Sequence, residues 1–180
     1  MNQKEQILQS AYSCITEKGY ANSSMRDIAR KADVTLSQIH YYFGSKKELF
    51  SEVLHHLTEN YLDHMRNILQ DDTKKDEDLF TSISTIVTEA SEDSSLIFDF
   101  ASLSLKDESF SFQFQKLFKE MEQLLTEQLR KRSFKIDAKA VSKIAIGTIL
   151  GASFQSAIVP DQKQSVLEAV KQLSKVLTTA

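Results

Sequence analysis

Ser24 to Leu49, SMRDIARKADVTLSQIHYYFGSKKEL, packs three helix starts into one short run. Ser24 precedes Asp27, Thr35 precedes Gln38 and Ser45 precedes Glu48, each at N-cap to N3 spacing. At that spacing the cap hydroxyl accepts a hydrogen bond from the N3 amide, and the N3 side chain can reach back to the cap. With three starts so close together, the first two helices are only about two turns long. Helices that short do not persist alone in water, so they must share a core. Met25, Ile28, Ala29 and Ala32 supply one apolar stripe, and Val34, Ile39, Tyr42 and Phe43 supply the next. The turn between them is Lys31-Ala32-Asp33-Val34. Two short helices joined this tightly have the sequence form of a helix-turn-helix.

Once Val34, Ile39 and Phe43 face inward, Thr35, Leu36, Ser37, Gln38, His40 and Tyr41 remain outward on the second helix. Glutamine can bridge adenine, serine and threonine suit bases or phosphates, and leucine can meet a thymine methyl. By composition alone, DNA readout and an ordinary solvated face account for these residues equally well. On the DNA reading, Thr35, Leu36, Ser37, Gln38 and His40 approach base edges. Ser24, Arg26, Tyr41, Tyr42 and Lys46 then contact or flank phosphates, Lys46 at the positive start of the following helix.

Ala32 to Leu49, with Gly19 to Ala29 ahead of it, resembles the signature of the TetR/AcrR family of bacterial transcriptional regulators over roughly residues 5–50. Three positions depart from the family pattern. Asp33 and Ser37 stand where glycine is common, and His40 where tyrosine is common; aspartate tolerates unusual backbone angles better than most residues. The resemblance implies an all-α protein whose first three helices and the start of the fourth bind DNA. It also implies dimerisation through the last two long helices. It carries no operator sequence.

The whole chain agrees with an all-α reading. Its 180 residues, 41% hydrophobic, suffice for one substantial core and a small satellite domain. Four glycines and one proline leave little for sheet turns. Cys14, the single cysteine, excludes an internal disulfide and suits a reducing, cytoplasmic setting. The N-terminus lacks an apolar signal core, and no stretch is read as a membrane span. The net charge of -3 divides into +2 for residues 1–50 and -5 for the remainder, so the basic surplus lies with the helix-turn-helix.

Helix one is expected over about Lys4–Lys18, ended by Gly19, and one long amphipathic helix runs from Lys46 to Leu69. Residues 1–48 form the expected DNA-binding domain and 49–180 the expected ligand-binding and dimerisation domain. Asp71 to Asp78 reads as a solvated connection, since its acids lack the glycine spacing of a calcium loop. Helices then follow from Leu79, over 96–105, over 110–132, from an Asp137 cap to Val159, and from an Asp161–Gln164 capping pair to the end. Phe80, Phe98, Phe100, Phe114 and Phe118 belong to this second part, where they either pack a core or line an apolar cavity. Tyr61, His64 and Met65 on the long helix are the candidates to join such a site. Gly147 and Gly151, each costing about 1 kcal/mol inside a helix, are expected to admit another helix. Ala140, Ile144, Gly147, Gly151, Phe154, Val170 and Leu173 are the expected two-fold interface.

No catalytic constellation emerges. The four histidines, His40, His55, His56 and His64, have no metal-ligand spacing, and there is no phosphate loop or nucleophile elbow. The reading is a homodimeric, ligand-responsive repressor without cofactor or membrane partner. It binds a palindromic operator in double-stranded DNA and is released by a small amphipathic or aromatic effector. Two alternatives stand beside it: an architectural DNA-binding protein without an inducer, and a helical small-molecule binder without operator binding.

Overall fold

The computed structural model describes residues 2–70, 79–89, 93–131 and 137–179, with backbone alone for Leu79, Phe80, Asp93, Ser94 and residues 173–179. The acidic stretch Asp71–Asp78 and Arg132 lie outside the described residues. Among those described, every regular element is helical. In order they are α1 (Gln3–Asn22), α2 (Met25–Lys31), α3 (Leu36–Phe43), α4 (Lys46–Leu69), α5 (Leu79–Glu89), α6 (Asp93–Ser104), α7 (Glu108–Lys131), α8 (Ala138–Ile158) and α9 (Lys163–Thr179).

Local chemistry accounts for the boundaries. Asn2 and Glu5 form a reciprocal capping box at the start of α1. Gly19, at φ 74°, breaks the helical path before the last residues of α1, a conformation that costs glycine little. The amides of Asp27, Gln38 and Glu48 donate to the hydroxyls of Ser24, Thr35 and Ser45, as their spacing predicts. Asp137 caps α8 by accepting from the amides of Lys139 and Ala140. The expected Asp161 cap does not form: Pro160–Gln162 is a 3₁₀ turn, and α9 begins behind it without a side-chain cap from Asp161. The proline fixes a turn-compatible φ and places Asp161 inside the turn instead of ahead of a helix.

The chain packs as two compact units that do not follow sequence order. Unit one combines Met1–Thr58 with Leu96–Phe114, and unit two combines Glu59–Ser95 with Gln115–Ala180. The boundary read from sequence at residue 48 isolates the helix-turn-helix, whereas packing carries α4 through Thr58 and adds a distant segment. The centre of unit one is aromatic. The Tyr20 ring meets Phe50 edge-on at 5.3 Å and Phe110 at 5.7 Å, and Phe110 in turn meets Phe100 at 5.5 Å. Phe50, Phe100 and Phe110 are fully buried beside Ile7, Ile15, Ile28 and Ile39. Lys47 closes the surface over this core by pairing with Asp107 at 2.9 Å. The Lys47 hydrogen bond, helped by the Ser109 amide, holds the Asp107 carboxyl below the usual carboxylate range.

Unit two buries Leu62, Met65, Ile83, Ile86, Met121, Leu125, Ile149 and Leu167, with α5 packed against both α8 and α9. Thr126 Oγ1 donates to Ser142 Oγ at 3.1 Å and stitches α7 to α8. Lys116 reaches Glu59 at 2.7 Å, and Lys163 Nζ donates to the Thr88 carbonyl at 3.0 Å. By length and composition α8 is apolar enough to cross a membrane, with mean hydropathy 1.3, which corrects the expectation that no stretch reaches that threshold. The signal escapes a residue-by-residue reading because isoleucines and alanines raise the average around two lysines. α4 and α7 each begin in unit one and continue unbroken into unit two.

Phe110→Ala is expected to remove about 3–5 kcal/mol of stability, through lost burial and the cavity left among three rings. Urea denaturation followed by tyrosine fluorescence measures the loss. A change within about 0.5 kcal/mol would deny Phe110 its place beside Tyr20.

Candidate nucleic-acid interface

α2 and α3 are held in place from behind. Ala32 at the end of α2 donates its amide to the Ile28 carbonyl, and the Val34 amide reaches Ala29 at 3.0 Å. Between them Asp33 sits at φ 51°, the one non-glycine residue with positive φ among those described. Gln6 of α1 donates to the Ala32 carbonyl at 2.9 Å and so fixes the turn from a separate helix. Gly44, at φ 70°, ends α3, and a Cβ there would overlap the Glu48 carboxylate.

The outward residues divide by what already holds them. Gln38 is committed at one end: its Oε1 accepts from the Thr35 amide at 2.7 Å and from the Thr35 hydroxyl at 2.9 Å. A glutamine needs that oxygen to accept from adenine N6, so bidentate adenine pairing and the cap exclude each other. In this arrangement Gln38 offers DNA only its amide donors, directed to purine N7 or to carbonyl acceptors. Leu36 is half-buried, while Ser37 and His40 are exposed. His40 Nδ1 lies 2.6 Å from the Gly44 carbonyl oxygen, which makes Nδ1 the protonated nitrogen and leaves Nε2 outward. Tyr41 is 83% exposed and stacks edge-on against Tyr42, whose hydroxyl donates to Gln3 at 3.1 Å.

Among the expected phosphate contacts, Arg26 is exposed and has no ion-pair partner among the described residues. The Ser24 hydroxyl accepts from the Asp27 amide and donates to the Asp27 carboxylate at 2.6 Å. That hydroxyl, chiefly, lowers the Asp27 pKa. Lys46 departs from expectation. Its ammonium donates to the Ala21 carbonyl at 3.3 Å and lies 4.5 Å from the Tyr20 ring centroid. Burial draws its pKa below the ordinary lysine range. Lys46 therefore ties α4 to the end of α1. Gln3 and Gln6 were not legible as contributors, because nothing in sequence separates them from other polar residues on α1.

This geometry is matched by known proteins. The model of the family described as bacterial regulatory proteins, tetR family, covers residues 7–53. That segment is a tetR-family helix-turn-helix. The chain is 33% identical over 85 residues to the uncharacterized HTH-type regulator YvdT of Bacillus subtilis, covering 47% of this chain and 42% of YvdT. It is 31% identical over 49 residues to IcaR of Staphylococcus aureus, a negative regulator of the icaADBC biofilm operon, covering 27% of this chain and 26% of IcaR. The chain thus spans less than half the length of these curated relatives. A transcriptional regulator of known structure from Rhodococcus aligns over 98% of this chain and 96% of its own, at TM-score 0.82 and 18% identity. At that identity the likeness is one of fold alone.

Beyond residues 7–53, the expected effector residues are divided between the two units. Phe98, Phe100 and Phe114 belong to unit one, whereas Tyr61, His64, Met65 and Phe118 belong to unit two. Phe100 and Met65 are fully buried and Phe114 nearly so. Helical spacing identified the buried faces but could not say which core each face joins. The Phe80 side chain lies outside the described residues. Tyr61 is half-buried, and burial pushes its phenol above the ordinary range. His64 Nε2 is 3.3 Å from Glu89 Oε2, close enough to pair but without hydrogen-bond geometry. No group of three metal-ligating side chains occurs among the described residues.

α8 exposes Ala140, Ile144, Gly147, Gly151, Phe154 and Ile158, spaced four or three apart along one face. Phe154 is 48% and Ile158 62% exposed, and a Cβ on Gly147 or Gly151 would meet nothing within 4 Å. Val170, expected on the same interface, is instead buried in unit two, where α9 packs on α5. The Leu173 side chain lies outside the described residues.

Lys46→Met keeps the aliphatic stem and removes the ammonium. The melting temperature is expected to fall while the slope of log affinity for DNA against log salt stays unchanged. A phosphate contact would instead reduce that slope by about 1. Gln38→Ala is expected to cost about 0.5–2 kcal/mol of stability, as lost caps do. An unchanged denaturation midpoint would release Gln38 from its capping role.

Proposed function

We propose that the chain is a transcriptional regulator that binds a palindromic DNA operator as a two-fold dimer, most simply as a repressor. The observation that carries this reading is the capped α3, whose outward Leu36, Ser37, His40 and Tyr41 share a unit with an exposed Arg26 that has no ion-pair partner among the described residues. Phosphate contacts from Arg26, Tyr41 and Tyr42 set the register, and α3 side chains read base edges. The negative regulation ascribed to IcaR supports repression over activation.

A second copy is the occupant that fits the exposed stripe of α8. The stripe is apolar, continuous over five helical turns, and relieved at its centre by two glycines that nothing among the described residues covers. Two such faces crossing at Gly147 and Gly151 can approach closely, and a two-fold axis pairs the face with itself. Recognition helices one DNA turn apart, about 34–36 Å, then require a palindromic site.

Effector control requires a ligand that binds the DNA-incompetent form better than the competent one. α4 and α7, each shared by both units, are the elements such a ligand would bias.

The test is selection of bound sequences from random duplexes by the purified chain, which is expected to enrich a two-fold symmetric site. No enrichment above input would overturn operator binding. Gly151→Leu is expected to yield monomer in sedimentation, because the added side chain overfills the crossing. A monodisperse dimer would move the interface away from α8.

A further inference from the structure

The outer faces of α7 and α8 enclose an open groove of about 980 Å³ within unit two, at the upper end of the range for small-ligand sites. It lies on the side of α7 opposite the buried series Leu117, Met121, Leu125 and Leu129, so it is not an extension of the core. Apolar surface comes from Phe118, 41% exposed, and from Ile146. Thr126 and Gln123 add neutral polar groups, Thr126 already bonded to Ser142 between the helices.

The charges are unbalanced. Five cations and two carboxylates line the groove. Glu122 pairs with Lys139 at 3.6 Å and Glu127 with Lys131 at 3.1 Å. Lys119, Arg130 and Lys143 are left without an ion-pair partner among the described residues. Phe118 and Arg130 lie twelve residues apart on one helix, an axial separation of about 18 Å. A compact inorganic anion would satisfy the cations and leave Phe118 and Ile146 wet. A neutral apolar molecule would cover the rings and leave three cations around it. The complement to both is an elongated organic anion.

We propose that the α7–α8 groove binds an amphipathic anion with a carboxylate head and an extended aliphatic body. That such a ligand is the effector rests on the regulatory reading above; that it binds does not. Lys143 sits three residues from Ala140 and four from Gly147 on α8, so the groove adjoins the proposed dimer stripe. On α7 itself the groove starts in the part of the helix that follows directly from unit one. An occupant there touches both the self-association helix and a helix shared with the DNA-binding unit.

Calorimetric titration of the full chain at low salt tests this with three probes. Dodecanoate has both features, dodecyltrimethylammonium has the same body with opposite charge, and acetate has the head alone. Dodecanoate is expected to bind at least ten-fold tighter than either control, and more weakly as salt rises. The double variant Arg130→Glu/Lys143→Glu, at two exposed positions, is expected to lose at least ten-fold in dodecanoate affinity while melting as the wild type does. Equal binding of the two dodecyl ions, no binding of dodecanoate, or an unaffected double variant would each overturn the site. Sedimentation of the same variant is expected to give the wild-type oligomer; dissociation would make the groove an interface between copies and overturn ligand binding there. Dodecanoate that binds wild type but not the variant, while leaving affinity for a selected operator unchanged, upholds the groove and removes it from regulation.

Discussion

Helices of seven and eight residues cannot hold themselves together in water, so everything at the DNA face depends on what is packed beneath α2 and α3. The support comes from α1, from the first turns of α4, and from a segment nearly fifty residues further along the chain. Tyr20 is where these meet, with Phe50 against one side of its ring, Phe110 against another and the Lys46 ammonium over its face. Edge-on ring contacts and a partly desolvated cation each add roughly a kcal/mol to the area already buried. The backbone of the turn is restrained separately by Gln6. The surface proposed to meet DNA is thereby preorganised by residues packed behind it.

The same arrangement explains which parts of the fold were legible in sequence. Ser24, Thr35 and Ser45 announce helix starts because capping is local: donor and acceptor lie three residues apart, whatever the rest of the chain does. Gly19 and Gly44 announce ends for the same reason. The stripes of α4, α7 and α9 are readable because periodicity needs only the helix itself. What periodicity cannot carry is the identity of the partner. Phe100 and Phe110 read as members of a C-terminal bundle, yet they complete the N-terminal unit; an apolar face specifies burial, not address. Asp161 failed as a cap for a nearby reason, since Pro160 imposed a turn that the capping spacing does not encode.

At the candidate site the chemistry of each side chain was legible and its availability was not. Gln38 has the right groups for adenine and the right spacing for a cap, and only coordinates reveal that the cap takes the oxygen. Lys46 has the charge for a phosphate and finds a carbonyl and a ring closer to hand. Two glycines in mid-helix mark the α8 face in sequence, since each costs stability unless the space beside it is used.

The discontinuity of unit one bears on how the protein is made. A nascent chain that has emerged only as far as Thr58 holds both short helices, their caps and their turn, but not Phe100 or Phe110. Its hydrophobic centre stays open until the residues up to Phe114 have been synthesised and have returned to it. Closing so long a loop carries an entropic toll and slows the final assembly step. During that interval the exposed rings of Tyr20 and Phe50 are what a chaperone would recognise. For the same reason the DNA-binding unit is not a portable module: cut at the end of the matched motif and grafted onto another protein, it would leave part of its core behind.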